Sequence, residues 1–170
     1  MKVLKFNEFI NENLKLRKKL PDEPDKYNLT LYHATSIENW NLIKKNGLVP
    51  GFKDPLGQVW KGKYSGKGIY FHQELPIWEL KNGNDIKQNK LYMIVLKVEI
   101  SDNPIYFVPD EEVSTDLNYT PKAIKNKEAI VYLKKIKPKY IKSIIVPKIN
   151  DAIDWVVKNH GNFDYQIIKV

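Results

Sequence analysis

The sequence predicts a single α+β domain. Three observations carry this. The length, 170 residues with 42% apolar content, fits one domain with a sizeable core. Apolar, β-branched and aromatic residues gather in many short runs, as at 29–34, 68–72, 129–133 and 141–146. Only two or three segments carry helical start and stop signals, so helices are the minority partner of the strands.

Residues 1–26 read as a leader. Val3, Phe6 and Ile10 recur at helical spacing with charges between them. Pro21 and Pro24 then break the pattern. Two readings stand: a terminal helix docked on the domain, or a detachable address tag. The domain proper, 27–170, opens with a strand at 29–34. Thr35 and Glu38 have the Thr-x-x-Glu form of a capping box. The helix behind it carries Ile37, Trp40, Leu42 and Ile43 and ends at Asn46-Gly47. Residues 52–65 mix Gly, Lys and aromatics without period and form a loop. A short strand follows at 68–72, then a helix at 75–80. Residues 90–100 are almost continuously apolar, as in a strand buried on both faces. Residues 101–127 hold Pro104, Pro109 and Pro121 and read mostly as loop, with a strand at 105–108. Strands at 129–133 and 141–146, a helix at 151–159 closed by His160-Gly161, and a last strand at 165–170 complete the chain.

Composition excludes several classes. There is no cysteine, so disulfides and thiolate metal sites are out. No run of about 18 apolar residues exists to cross a membrane, and no membrane partner is expected. The net charge is +8, but of 28 basic residues only Arg17 is arginine. With Ile and Asn abundant and Ala scarce, the lysines read as the codon bias of an AT-rich genome. Phosphate and base readers favour the bidentate arginine fork. His33, His72 and His160 lack the carboxylate spacing of a metal site, so no metal is expected.

The residues that bear chemistry fall in order along the chain. Leu31-Tyr32-His33-Ala34-Thr35-Ser36 ends a strand at a helix start, where backbone donors and side chains are exposed to a ligand. Gly66-Lys67-Gly68-Ile69-Tyr70-Phe71 brings two glycines into a strand, which lets a ligand approach the backbone. It lacks the third glycine of a dinucleotide fingerprint. Lys127-Glu128-Ala129-Ile130-Val131-Tyr132 sets a carboxylate at the mouth of an apolar strand. Asp110-Glu111-Glu112 reads as a solvated loop.

Together with Ile43-Lys44-Lys45-Asn46-Gly47-Leu48-Val49-Pro50, these segments resemble the ADP-ribosyltransferase superfamily. The likeness is to its histidine-tyrosine-glutamate branch, which includes the poly(ADP-ribose) polymerases, and it covers roughly 29–147. The resemblance implies a split, strongly bent sheet with flanking helices and NAD as co-substrate. His33 would hold the adenine-proximal ribose and the Ala34 backbone the nicotinamide carboxamide, with the Thr35 hydroxyl beside it. Gly68 would admit the ligand, Tyr70 would stack on the nicotinamide ring, and Glu128 would hold the nicotinamide ribose and drive transfer. The family has Gly where Ala34 stands. It also carries a second aromatic on the helix after the Tyr70 strand, for which Trp78 is the nearest candidate, at a shorter spacing. The absence of arginine after Arg17 excludes the Arg-Ser-Glu toxin branch and the tRNA 2′-phosphotransferases.

The short length favours mono- over poly-ADP-ribosylation; the expected acceptor is a host macromolecule, protein ahead of nucleic acid, and a monomer is expected. The other readings are a silent NAD- or ADP-ribose-binding module, a nucleic-acid-directed transferase, and a packaged structural protein. Residues 1–12 resemble the leaders of proteins packaged in the heads of large tailed phages. Cleavage after Ile10-Asn11-Glu12 would then leave a chain starting at Asn13. The expected location is the bacterial cytoplasm, reached in the tag reading from a phage head.

Overall fold

A computed structural model describes residues 16–50, 68–85 and 93–170. The first half of the leader, the 52–65 loop and the Gly66-Lys67 pair lie outside the described residues. Among those described, seven strands form two sheets. The larger has the order β1-β3-β6-β7 and the smaller β2-β5-β4. This is the split α+β sheet expected from the sequence.

The larger sheet is built on β3 (Met93–Asp102), which pairs antiparallel with β1 (Tyr27–Ser36) along ten residues of each. Its Ile94, Leu96 and Val98 enter the main core, and Val95 faces the opposite way, against Leu80 and Ile145. Both faces are therefore covered, as the unbroken apolar run requires. On the other side β6 (Ile141–Pro147) pairs with β3, the register shifting between Lys97 and Val98. The last strand, β7 (Asp164–Ile168), lies parallel to β6. A parallel neighbour needs a long crossover, and the helix Asn150–Asn159 lies in it.

The helix Trp40–Asn46, here α1, buries Trp40 and Ile43 in the main core. The Trp40 indole N–H donates to the Asn159 carbonyl at 2.8 Å, tying α1 to the crossover helix. Gly47 ends α1 as expected, at φ 78°. A Cβ there would lie 1.9 Å from the Ile136 carbonyl oxygen, so both conformation and space demand glycine. The expected capping box does not form. Thr35 remains in β1, and Ser36 precedes a 3₁₀ turn, Ile37–Asn39, with no side-chain cap. The Thr35 hydroxyl instead accepts from the Asn39 amide at 3.0 Å.

In the smaller sheet, β5 (Ile130–Tyr132) lies between β2 (Ile69–Phe71) and β4 (Phe107–Pro109). The helix α2 is Ile77–Asp85. The helix Thr120–Lys125, α3, falls where the sequence suggests loop. Pro121 sits in its first turn, where a missing N–H costs nothing. The crossover helix is α4.

The described end of the leader is seated on the domain. Arg17 Nε donates to the Phe107 carbonyl and Nη2 to the Pro104 carbonyl, both at 3.0 Å. The same guanidinium grips both oxygens of Glu23, with both side chains buried. Tyr27 Oη donates to Glu23 at 2.6 Å. Burial alone would raise the Glu23 carboxyl. Hydrogen bonds from Arg17, Tyr27 and the Leu20 N–H outweigh it and hold the carboxyl below its ordinary value.

Candidate functional site

Among the described residues the two sheets meet at one backbone bridge. Tyr32 of β1 and His72, just beyond β2, exchange N–H···O bonds of 2.8 and 2.9 Å. Away from this bridge β1 and β2 part. Alternate residues of an antiparallel strand turn their backbone groups to the same edge. Ala34, two residues past Tyr32, therefore presents its N–H and C=O to the opening between the sheets.

His33 spans that opening. Its Nδ1 lies 3.0 Å from the Tyr70 carbonyl, and its ring packs on Phe71 at 5.6 Å between centroids. A carbonyl only accepts, so Nδ1 carries the proton. In the neutral ring Nε2 is then an acceptor suited to a ligand hydroxyl. Burial pushes the imidazole below its ordinary value and His72 pushes the same way. The bond to Tyr70 and the charge of Glu79 oppose.

Tyr70 faces the other side of the small sheet. Ile69 and Phe71 enter the main core, whereas Tyr70 packs with Val108, Val131 and Leu133. His33 thus meets Tyr70 through the backbone, not ring to ring. The Tyr70 hydroxyl donates to Glu111 Oε1 at 2.8 Å. This corrects the solvated-loop reading of Asp110-Glu111-Glu112. Asp110 N donates to the Ala129 carbonyl at 3.1 Å, extending the β4–β5 ladder by one residue. The turn after it folds Glu111 back over the sheet. Burial pushes the Asp110 carboxyl up, and the charges of Glu111 and Glu112 add to this. The Glu112 N–H, donating at 3.0 Å, opposes.

Glu128 stands at the approach to β5, after Lys127 in the left-handed region at φ 57°. Gln73 Nε2 donates to the Glu128 carbonyl at 2.6 Å and to the Ala123 carbonyl at 3.1 Å, fixing this corner to the end of β2. Glu128 Oε1 accepts from Asn126 at 3.2 Å and from Tyr119 at 3.4 Å. Oε2 of Glu128 and Oε2 of Glu111 are buried with no hydrogen-bond partner among the described residues. A buried unpaired carboxylate oxygen is costly, and a ligand donor is one way to satisfy it.

The remaining predicted residues divide. Gly68 opens β2, and a Cβ there would come within 2.2 Å of Val131 Cγ1. Packing on β5 alone therefore accounts for that glycine. Thr35 is buried and already bonded to Asn39. Trp78, on α2, is half exposed and meets His72 edge to face at 5.9 Å. With His72, Gln73, Lys127 and Ala129 it lines a cavity of about 220 Å³ beside Glu128. That is smaller than the roughly 300 Å³ at which sites for whole small ligands begin. The structure brings His33, Ala34 and Tyr70 to one seam. Glu128 stands before the central strand β5 and Trp78 on α2, past the end of β2.

The arrangement of the two sheets is shared with a known structure. Thermus sp. 2.9 DarT in complex with NAD+ superposes with a TM-score of 0.51 at 15% identity, over 86% of this chain and 96% of that one. The chain has a DarT-like fold. Thermosipho africanus DarTG in complex with ADP-ribose gives a TM-score of 0.47 at 12% identity, over 83% of this chain. The chain spans half the length of that DarTG. No family model matches the sequence, and no curated protein matches it. The likeness to that DarT shows the fold of the sheets and nothing finer. The residues at the seam are read from this chain alone.

Proposed function

We infer that the chain transfers ADP-ribose from NAD to a macromolecular acceptor and releases nicotinamide. The observation that carries this is the seam itself. His33, 3.0 Å from the Tyr70 carbonyl, and the open backbone of Ala34 lie where the two sheets part, in a fold shared with a DarT that holds NAD+. Buried oxygens of Glu128 and Glu111, which have no hydrogen-bond partner among the described residues, are the acceptors this reading offers to ligand hydroxyls.

The chemistry follows from these groups. Ala34 N–H and C=O suit a carboxamide, which both donates and accepts. Neutral His33 offers Nε2 to a ribose hydroxyl. Cleavage breaks the bond between ribose C1 and the nicotinamide nitrogen, and the electron pair leaves with nicotinamide. Positive charge then grows on the ribose, where the Glu128 carboxylate opposes it. The acceptor nucleophile bonds to C1 and gives up its proton, for which a carboxylate is a competent base.

Incubation with labelled NAD and a bacterial lysate tests this reading. Label should pass to macromolecules and stoichiometric nicotinamide should appear. Protease-sensitive label identifies a protein acceptor, and nuclease-sensitive label a nucleic acid. Tight binding of NAD without release of nicotinamide would replace the transferase with a binding module.

A further inference from the structure

We propose that the chain pairs with a second copy of itself through the outer edge of β7. The other sheet edges are engaged. Those of β1 and β2 meet at the Tyr32–His72 bridge, and the Phe107 carbonyl on the β4 edge accepts from Arg17. β7 ends the larger sheet, and among the described residues no strand lies beyond it. Its Tyr165 and Ile167 are 38% and 41% exposed, on the face that Ile144 and Val146 of β6 turn to the main core. The His160 ring backs Tyr165 at 4.9 Å between centroids. Monomeric proteins blunt such an edge with Lys, Pro or a bulge. Asp164–Ile168 contains no Lys and no Pro, and its register with β6 is unbroken.

The backbone and the charges of β7 select its own copy as the partner. Lys148 N donates to the Ile168 carbonyl at 2.7 Å, so Ile168, and Gln166 two residues before it, face β6. Tyr165 and Ile167 therefore turn their N–H and C=O outward. A two-fold axis at Gln166 sets Tyr165 of each copy antiparallel to Ile167 of the other. Both are outward residues, so each pair exchanges two N–H···O bonds. An aromatic opposite a β-branched side chain is a favourable pair, and it forms twice. The antiparallel sense also brings the Asp164 end of one strand to the Lys169 end of the other, where opposite charges attract. A chain of net charge +8 can lie against itself only where lysines do not face each other, and this edge satisfies that. An acidic partner would instead be met by lysines. A two-fold contact uses up the edge on both copies, so assembly stops at two. A dimer thus replaces the monomer expected from the sequence. β1 is the opposite edge of the sheet, so both seams stay open, and pairing is independent of what the seam does.

The test is sedimentation equilibrium of the full chain in about 0.15 M salt, which screens the net charge. The unaltered chain should dimerise with a dissociation constant on the order of 10 μM, as suits a small interface. Gln166 is exposed and meets its own copy across the axis, where opposed Cα atoms lie about 4.5 Å apart. Gln166→Lys and Gln166→Glu each set like charges against one another and should each weaken pairing about fivefold. An equal mixture of the two variants should pair at least as tightly as the unaltered chain. Ile167→Pro removes an outward N–H and spares the bonds to β6, so it should weaken pairing further. A chain still monomeric at about 100 μM overturns the proposal. So does a dimer indifferent to the Gln166 charges, which would place the contact on another face. A melting curve for each variant separates lost pairing from unfolding, and if Ile167→Pro melts early the charge swap decides alone.

Discussion

At the scale of single residues, charge placement decides the outcome. Replacing Glu128 with Gln keeps the shape and part of the hydrogen bonding but removes the charge that opposes the growing cation. Transfer should fall about 100-fold or more, roughly 2.7 kcal/mol of transition-state stabilisation, with NAD binding kept within several-fold. Full activity in Glu128→Gln would move the role to another carboxylate. His33 offers a test by pH. Its folded value is depressed from the ordinary 6.5. On acidification below about pH 6.5 the unfolded chain takes up a proton that the folded chain resists, so stability falls with pH in that window. His33→Gln should flatten the melting temperature between pH 6.5 and 5 relative to the unaltered chain; parallel curves would rule the effect out. His33 and Tyr70 were legible because each sits in a strand bearing a recognisable motif. Glu111 was not. Three consecutive acidic residues look solvated, and only the fold of the turn after Pro109 carries one of them back to Tyr70.

At the scale of elements, the segment before β1 matters more than its sequence suggests. The buried Arg17–Glu23 pair ties residues 16–26 to the carbonyls of Pro104 and Phe107. Arg17→Ala leaves the Glu23 carboxylate buried beside only Tyr27 and the Leu20 N–H. That should cost about 3–5 kcal/mol, read from denaturant unfolding. Because the folded Glu23 value is depressed, the stability it contributes is present above its ordinary 4.5 and is lost as pH falls through the folded value. Truncation sharpens the point. A chain starting at Asn13 keeps the pair and should melt like the parent if residues 1–12 are a tag. A chain starting at Tyr27 lacks it and should melt far lower. A lower melting temperature for the Asn13 chain would instead indicate a docked helix.

At the scale of the whole molecule, the strand inventory was readable and the pairing was not. Alternation and apolar runs pointed to seven strands, and β3 declared its double burial through an unbroken apolar stretch. Sheet membership depends on which edges meet in space, and no local pattern encodes that. Two local signals were also misread. Pro121 suggests a break, yet at a helix start it is an initiator. Thr35 and Glu38 have capping-box spacing, but ten residues of pairing with β3 hold Thr35 in the strand. The alternation of β2 carries the subtler lesson. It turns Tyr70 to one face and Phe71 to the other, so residues close in sequence and in backbone need not share a face.

The seam behaves like a crack in a plate. Its tip is the Tyr32–His72 bridge, and among the described residues the rod across the opening is the His33 bond to the Tyr70 carbonyl. How far such a crack gapes depends on whatever spans it. His33→Ala removes the rod as well as any contact with a ligand, so lost binding there mixes two causes. Amide exchange at Tyr32 and His72 separates them. These two N–H groups close the tip, and their protection reports the strain a missing rod passes to it.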